Sequence, residues 1–261
     1  MAESTQPLVA TANRDVTSAA RAYYEAVHAD LRLFHFLIDS VLTGDYVAFT
    51  ARRALDGDAL DPEMTPAKLA TTRPGPRIKF LRRHSQALLE MFVGRFVDTF
   101  QKYLVDVIRE VLRRKPEILR SKKESLTLEE LLRFKTIEEL VQTMIERKVT
   151  SLSYEGFERL REWCVDKGIP LVVTPDDLPK VIELIACRNI IAHNRGIVDG
   201  RYLEAVQKTE FKIGGARNLS VDDIESAIRM LGKVVQNLDV AAATKFGLAT
   251  RPFNDPLIID T

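Results

Sequence analysis

Arginine, asparagine and histidine fall within six residues at Arg188, Asn189 and His193, and Asn194 and Arg195 follow at once. An arginine is permanently charged and offers phosphate oxygens a planar fork of donors, so Arg188 suits the stabilisation of charge developing on phosphorus. A histidine titrates near neutrality and works as acid or base, which fits His193 for proton transfer. Asn189 lies four residues before His193 and shares its helix face, so its amide can orient the imidazole or donate to a phosphate. Arg195 supplies a further cation for phosphate. At roughly 100° per residue, Arg188 and His193 sit about 140° apart, so an ideal helix does not bring them together. Either the last turn is distorted or a second copy of the chain completes the site. The purely structural alternative makes Arg188 an interface residue and His193 a satisfied core histidine.

These residues ride on a segment whose ends are both marked. Over residues 174–196, Thr174 is a candidate N-cap, Pro175 fits the first helical position, Asp176 and Asp177 suit the positive end of the dipole, and Gly196 follows the last turn. Between them, Val181, Ile182, Leu184, Ile185, Ala186, Cys187, Ile190, Ile191 and Ala192 are spread nearly all round the helix. That pattern predicts a central helix buried on several faces. Burying an unpaired arginine is costly, so the polar residues should face a cleft or a subunit interface.

The run Arg188-Asn189-Ile190-Ile191-Ala192-His193 resembles the arginine–polar–spacer–histidine signature of the HEPN superfamily. The sequel Asn194-Arg195-Gly196-Ile197-Val198-Asp199, with Tyr202-Leu203 shortly after, is similar to stand-alone members of that superfamily. The resemblance covers roughly residues 85–247 and implies an all-α fold, an up-and-down helical bundle with an additional N-terminal helical segment. It further implies a metal-independent endoribonuclease acting at a homodimer interface and leaving a 2′,3′-cyclic phosphate. Such a protein would be a toxin or antiviral-defence effector, with RNA as substrate and a co-encoded antitoxin or defence partner. Arg188, Asn189 and His193 are then the expected catalytic residues and Asn194 and Arg195 the substrate-binding ones, with no metal or cofactor. Some HEPN toxins carry a tyrosine two residues after the histidine, where a partner nucleotidyltransferase modifies it; here that position is Arg195, which puts such neutralisation in doubt. The alternative is a non-catalytic HEPN-like helical module for partner or nucleotide binding and dimerisation.

Composition narrows the field without deciding it. The chain has 261 residues, 46% hydrophobic and 29% charged, with a net charge of +1. A core is affordable on those figures, and no global positive field advertises nucleic acid. Cys164 and Cys187 lie in helical patterns and read as buried thiols rather than a disulfide. Histidine and cysteine spacings match no zinc site, and residues 1–15 carry no signal-peptide pattern, so the expected location is the cytoplasm. Phosphate-loop, Gly-x-Ser-x-Gly and His-Glu-x-x-His motifs are missing.

The remaining elements follow from periodicity and caps. A helix is predicted over 15–42, ended by Gly44, with His28 and His35 on its surface or at an interface. A short helix at 46–55 and a proline-containing connector at 56–77 come next. A long amphipathic helix over 79–114 carries a phenylalanine ladder, Phe92, Phe96 and Phe100, read as core. The basic cluster Arg113, Arg114, Lys115, Arg120, Lys122 and Lys123 reads as a solvated face, with a phosphate-tracking role as the sharper option. Capping boxes at Thr127/Glu130 and Thr136/Glu139 open helices over 128–134 and 137–149, and Ser153 opens another to 166. Residues 169–174 and 211–213 read as extended, 201–207 as one helical turn, and Ser220/Asp223 caps a last helix over 221–246. Domain limits are placed at 1–77, 78–250 and a tail, 251–261.

Overall fold

A computed structural model of the chain describes residues 14–59, 61–120, 126–206 and 210–253. Among these the fold is all-α apart from one short ribbon. In chain order the elements are β1 (Arg14–Val16), α1 (Ser18–Leu55), α2 (Pro66–Thr72), α3 (Pro76–Arg83), α4 (Ser85–Arg114), α5 (Leu128–Leu132), α6 (Ile137–Glu155), α7 (Phe157–Asp166), α8 (Leu178–Asn194), α9 (Gly200–Val206), α10 (Val221–Phe246) and β2 (Arg251–Phe253). No helix among the described residues is long and apolar enough to cross a membrane.

The helix at the centre is α4, not α8. Phe92, Phe96, Phe100, Leu104, Val107 and Val111 recur at three- and four-residue steps and are all buried, which is the wide apolar stripe of a core helix. Against it pack α1, α10, α6 and α8. Phe34 of α1 meets the Phe92 ring edge-on with centroids 5.0 Å apart, and the Tyr103 hydroxyl donates to the Val235 carbonyl of α10 at 3.1 Å. On α8 itself, Val181, Ile185, Ala186, Cys187 and Ile190 are buried, but Ala192 is exposed. Its apolar residues therefore serve the core for four turns and give out at the last.

Several boundaries differ from the sequence-based expectation, each for a physical reason. Thr17 caps α1, accepting the Ala20 amide at 3.2 Å, and α1 continues straight through Gly44 to Leu55. Gly44 does not terminate the helix; it lies under the Arg77 side chain, whose guanidinium would have to shift to admit a Cβ. One residue on, buried Asp45 accepts the amides of Arg77 and Ile78 at 3.2 and 2.9 Å, capping α3 from the side of α1. The connector over 56–77 holds α2, with Thr65 as its cap. The long helix expected over 79–114 is divided at His84 into α3 and α4. Gly156, at φ 86°, separates α6 from α7, so the break falls three residues later than Ser153.

The first and last described segments meet. The segment read as a tail begins with β2, which pairs antiparallel with β1, Arg14 opposite Phe253. Phe253 is buried against Tyr24 and His28, at centroid distances of 5.6 and 6.1 Å. His28, expected at the surface, is thus a core residue; His35 is exposed. Thr17 also binds Asp239 of α10, its hydroxyl donating at 2.5 Å. Burial raises the Asp239 carboxyl above its ordinary range, although the hydrogen bonds from Thr17 and the charge of Arg14 work in the opposite direction.

Candidate functional site

Helix α8 starts one turn later than its cap signal suggested. Thr174 closes a turn first, accepting the Asp177 amide at 3.2 Å and donating its hydroxyl to Asp177 Oδ2 at 2.8 Å. Asp177 then leads the helix and holds Lys233 of α10 at 3.0 Å. Its carboxyl stays below the usual range because Thr174 and Lys233 bond to its charged form. At the other end, Arg195 has φ 53° and Gly196 φ 73°, two consecutive left-handed residues that turn the chain sharply. Both amides fold back on the Ile190 carbonyl. Arg195 is the only non-glycine residue with positive φ among those described. Asn194 accounts for the rest of the turn: its Nδ2 donates to the Ile197 carbonyl at 2.8 Å. That is a structural role for a residue expected to bind substrate.

On this helix end Arg188 is half-buried, while Asn189, His193, Asn194 and Arg195 are exposed. The Arg188 Nε donates to Asp98 Oδ1 of α4 at 2.6 Å, and Nη1 to Asn189 Oδ1 at 3.3 Å. So Arg188 leans toward α4. Asn189 and His193 line instead a cleft of about 350 Å³ with Asp199, Arg201 and Tyr202 of the following segment. The last turn is regular helix, and the 140° separation stands within one chain. His193 is not the satisfied core histidine of the structural alternative. The structure groups Asn189 with His193, keeps Arg188 in touch through the Asn189 amide, and makes Arg195 the left-handed cap of the helix.

What fixes the cleft's far wall was not read from the sequence. The chain leaving α8 pairs with the loop before α10: Val198 N donates to Gly215 O and Gly214 N to Val198 O, both at 2.9 Å, and Arg217 N donates to Gly196 O at 2.9 Å. From that loop the Arg217 side chain reaches Glu183 of α8 at 3.3 Å and Asp223 of α10 at 3.4 Å, and lies over the Phe211 ring at 5.3 Å. Tyr202 of α9 is 1% exposed and donates its hydroxyl toward Glu183 at 3.4 Å. Burial, then the Glu183 carboxylate, pushes the Tyr202 phenol well up, so it remains a donor. Asp199 accepts the Tyr202 amide at 2.8 Å. The forward signals for this network were Asp199 and Tyr202 in the resemblance and the Ser220/Asp223 cap, which the structure realises as a full capping box. The extended pairing of this region lies at Ile197 and Ala216 rather than at 211–213.

The basic cluster divides. Arg113 pairs with Glu146 at 3.3 Å and Lys115 with Glu117 at 3.8 Å, as on a solvated face; Lys122 and Lys123 lie outside the described residues. Cys164 and Cys187 are buried, free thiols. Compared with protein-family models, with curated proteins and with solved structures, this chain matches none.

Proposed function

We propose that the protein is an endoribonuclease of the HEPN type that cleaves RNA without a metal at a homodimer interface, as a toxin or defence effector. The observation that carries this reading is the placement of exposed Asn189 and His193 and half-buried Arg188 on the last turns of α8, where its apolar residues give out. Round the last turns come half-buried Arg188 and then exposed Ala192, Asn189 and His193, spanning an arc of about 140°. A second copy laid over that arc can bring its own arginine to the first copy's histidine.

The chemistry then runs as follows. The His193 imidazole takes the proton of the 2′-hydroxyl as that oxygen attacks phosphorus. Arg188 balances the added charge on the phosphate oxygens, while Asp98 keeps its guanidinium plane fixed from behind. The bond from phosphorus to the 5′-oxygen breaks, an imidazolium returns a proton to that oxygen, and the products are a 2′,3′-cyclic phosphate and a 5′-hydroxyl. DNA resists because it lacks the nucleophile. Purified protein incubated with single-stranded RNA and tRNA in chelator should give those ends, and His193→Ala should abolish cleavage with fold and dimer intact. Cleavage that survives His193→Ala, that needs a divalent ion, or that never occurs refutes the reading.

One observation favours a non-catalytic helical module instead: Arg188 already has a carboxylate partner at 2.6 Å. In that case Arg188→Ala dissociates the dimer. Under the nuclease reading it leaves the dimer assembled and removes turnover.

A further inference from the structure

The cleft beside His193 contains a carboxylate, which is out of place in a groove that only tracks phosphates. Asp199 lines it together with Asn189, His193, Arg201 and Tyr202. A carboxylate next to a histidine commonly orients the imidazole, but Asp199 makes no hydrogen bond or ion pair with His193 among the described residues. What holds it is the Tyr202 amide, bonded to Oδ1 at 2.8 Å. Tyr202 is itself buried and tied to Glu183, so the carboxylate is fixed in direction before any ligand arrives. An ionised carboxylate has about four acceptor sites, and the Tyr202 amide uses one. Arg201, two residues on, is exposed and has no ion-pair partner among the described residues. A cleft of about 350 Å³ falls at the lower end of the range of roughly 300–1,000 Å³ for small-ligand sites.

We propose that this cleft is a base-reading subsite in which Asp199 accepts the Watson–Crick edge of a guanine next to the cut, while Arg201 holds that nucleotide's phosphate. The inference rests on the RNA-cleaving reading for its substrate class. Single-stranded RNA is recognised by splaying bases out and bonding their Watson–Crick edges. Guanine alone presents two donors side by side, N1–H and the N2 amino group, matching the two oxygens of a carboxylate. Adenine and cytosine set a ring-nitrogen lone pair beside their amino group, and uracil flanks its single N–H with two carbonyls. Both arrangements turn an acceptor toward Asp199.

The test uses two arms. In the first, wild-type protein, Asp199→Asn and Arg201→Ala cut a randomised single-stranded RNA pool, and the product ends are sequenced. Asparagine still accepts the Tyr202 amide and still suits the residue before α9, so Asp199→Asn keeps the fold. Wild type should enrich guanine at one position flanking the cut by roughly 10-fold or more. Asp199→Asn should cut with that enrichment lost, and Arg201→Ala should raise KM with the enrichment kept. In the second arm, 2′-O-methyl oligonucleotides, which cannot be cleaved, are titrated by fluorescence anisotropy. A guanine-containing oligomer should bind wild type more tightly than its inosine or uracil counterpart, and Asp199→Asn should bind all three alike. Cleavage without base preference, or a preference unchanged by Asp199→Asn, overturns the subsite and leaves the nuclease standing. Guanine-selective binding without any cleavage leaves the subsite standing and removes the nuclease.

Discussion

Replacing Arg217 with methionine removes the charge that joins α8, α9 and α10 while keeping an aliphatic stem of similar reach. In the folded protein Glu183 and Arg217 side chains are 12% and 15% exposed, and their pair closes at 3.3 Å. Breaking a buried pair by deleting one partner costs about 3–5 kcal/mol. That figure needs lowering here, because Asp223 is a third exposed. Burial alone would raise the Asp223 carboxyl; the Ser220 bonds and then Arg217 bring it below its ordinary range, and those from Ser220 survive the substitution. The cost therefore falls on Glu183, and about 2–3 kcal/mol is expected, with the contact over Phe211 contributing about 0.5–1 kcal/mol of it. For a chain of this size that lowers Tm by roughly 5–10 °C. Urea titration of wild type, Arg217→Met, Glu183→Gln and the double variant isolates the pair as a coupling energy, expected to be at least about 1 kcal/mol. A loss below about 1 kcal/mol, or an equal loss in the Glu183→Gln background, refutes the account of how the cleft wall is held.

Two further outcomes follow from the same geometry. Arg195 holds a left-handed conformation at φ 53°, which costs a residue with a Cβ about 1–2 kcal/mol; Arg195→Gly should raise Tm by about 2–4 °C yet weaken RNA binding, read by thermal melt and anisotropy on one sample. Burial pushes the Cys164 thiol up to about 12 and the Cys187 thiol up to about 11, so neither should react with iodoacetamide at pH 8 in the folded protein, whereas both should in urea, counted by mass spectrometry.

Local chemistry made part of this fold legible and long-range chemistry hid the rest. The all-α class, the Phe92–Phe96–Phe100 ladder and the Ser220 and Thr127 capping boxes depend on residues three or four apart, and those stand as read. Gly44 misled because α1 runs on through it, and the side chain that lies over it, Arg77, is 33 residues away. The division at His84 has no proline or glycine to announce it. Apolar residues round α8 suggested a central helix, yet centrality is a matter of which helices pack where, and α4 has the longer stripe. At the site, the positions of Asn189 and His193 on one face followed from helical spacing. The Arg188–Asp98 bond joins residues 90 apart, and the Arg217 brace 34 apart; neither has any periodic signature.

The separation of Arg188 from His193 converts the dimer proposal into a measurement. Within one chain Arg188 leans onto Asp98 and His193 lines the cleft on the α9 side, so each composite site would need arginine from one copy and histidine from the other. Arg188→Ala and His193→Ala chains are each inactive on that basis. Mixed and allowed to exchange, half of the dimers pair the two variants. Each of those holds one site with both groups intact and one with neither, so about a quarter of wild-type turnover should return. If a single chain supplied both groups, no mixture would contain an intact site and turnover would stay at zero. Size-exclusion chromatography of differently tagged chains confirms exchange independently of activity. Exchange without recovered turnover rules out the composite site, because only a site built within one copy is blind to what its partner carries.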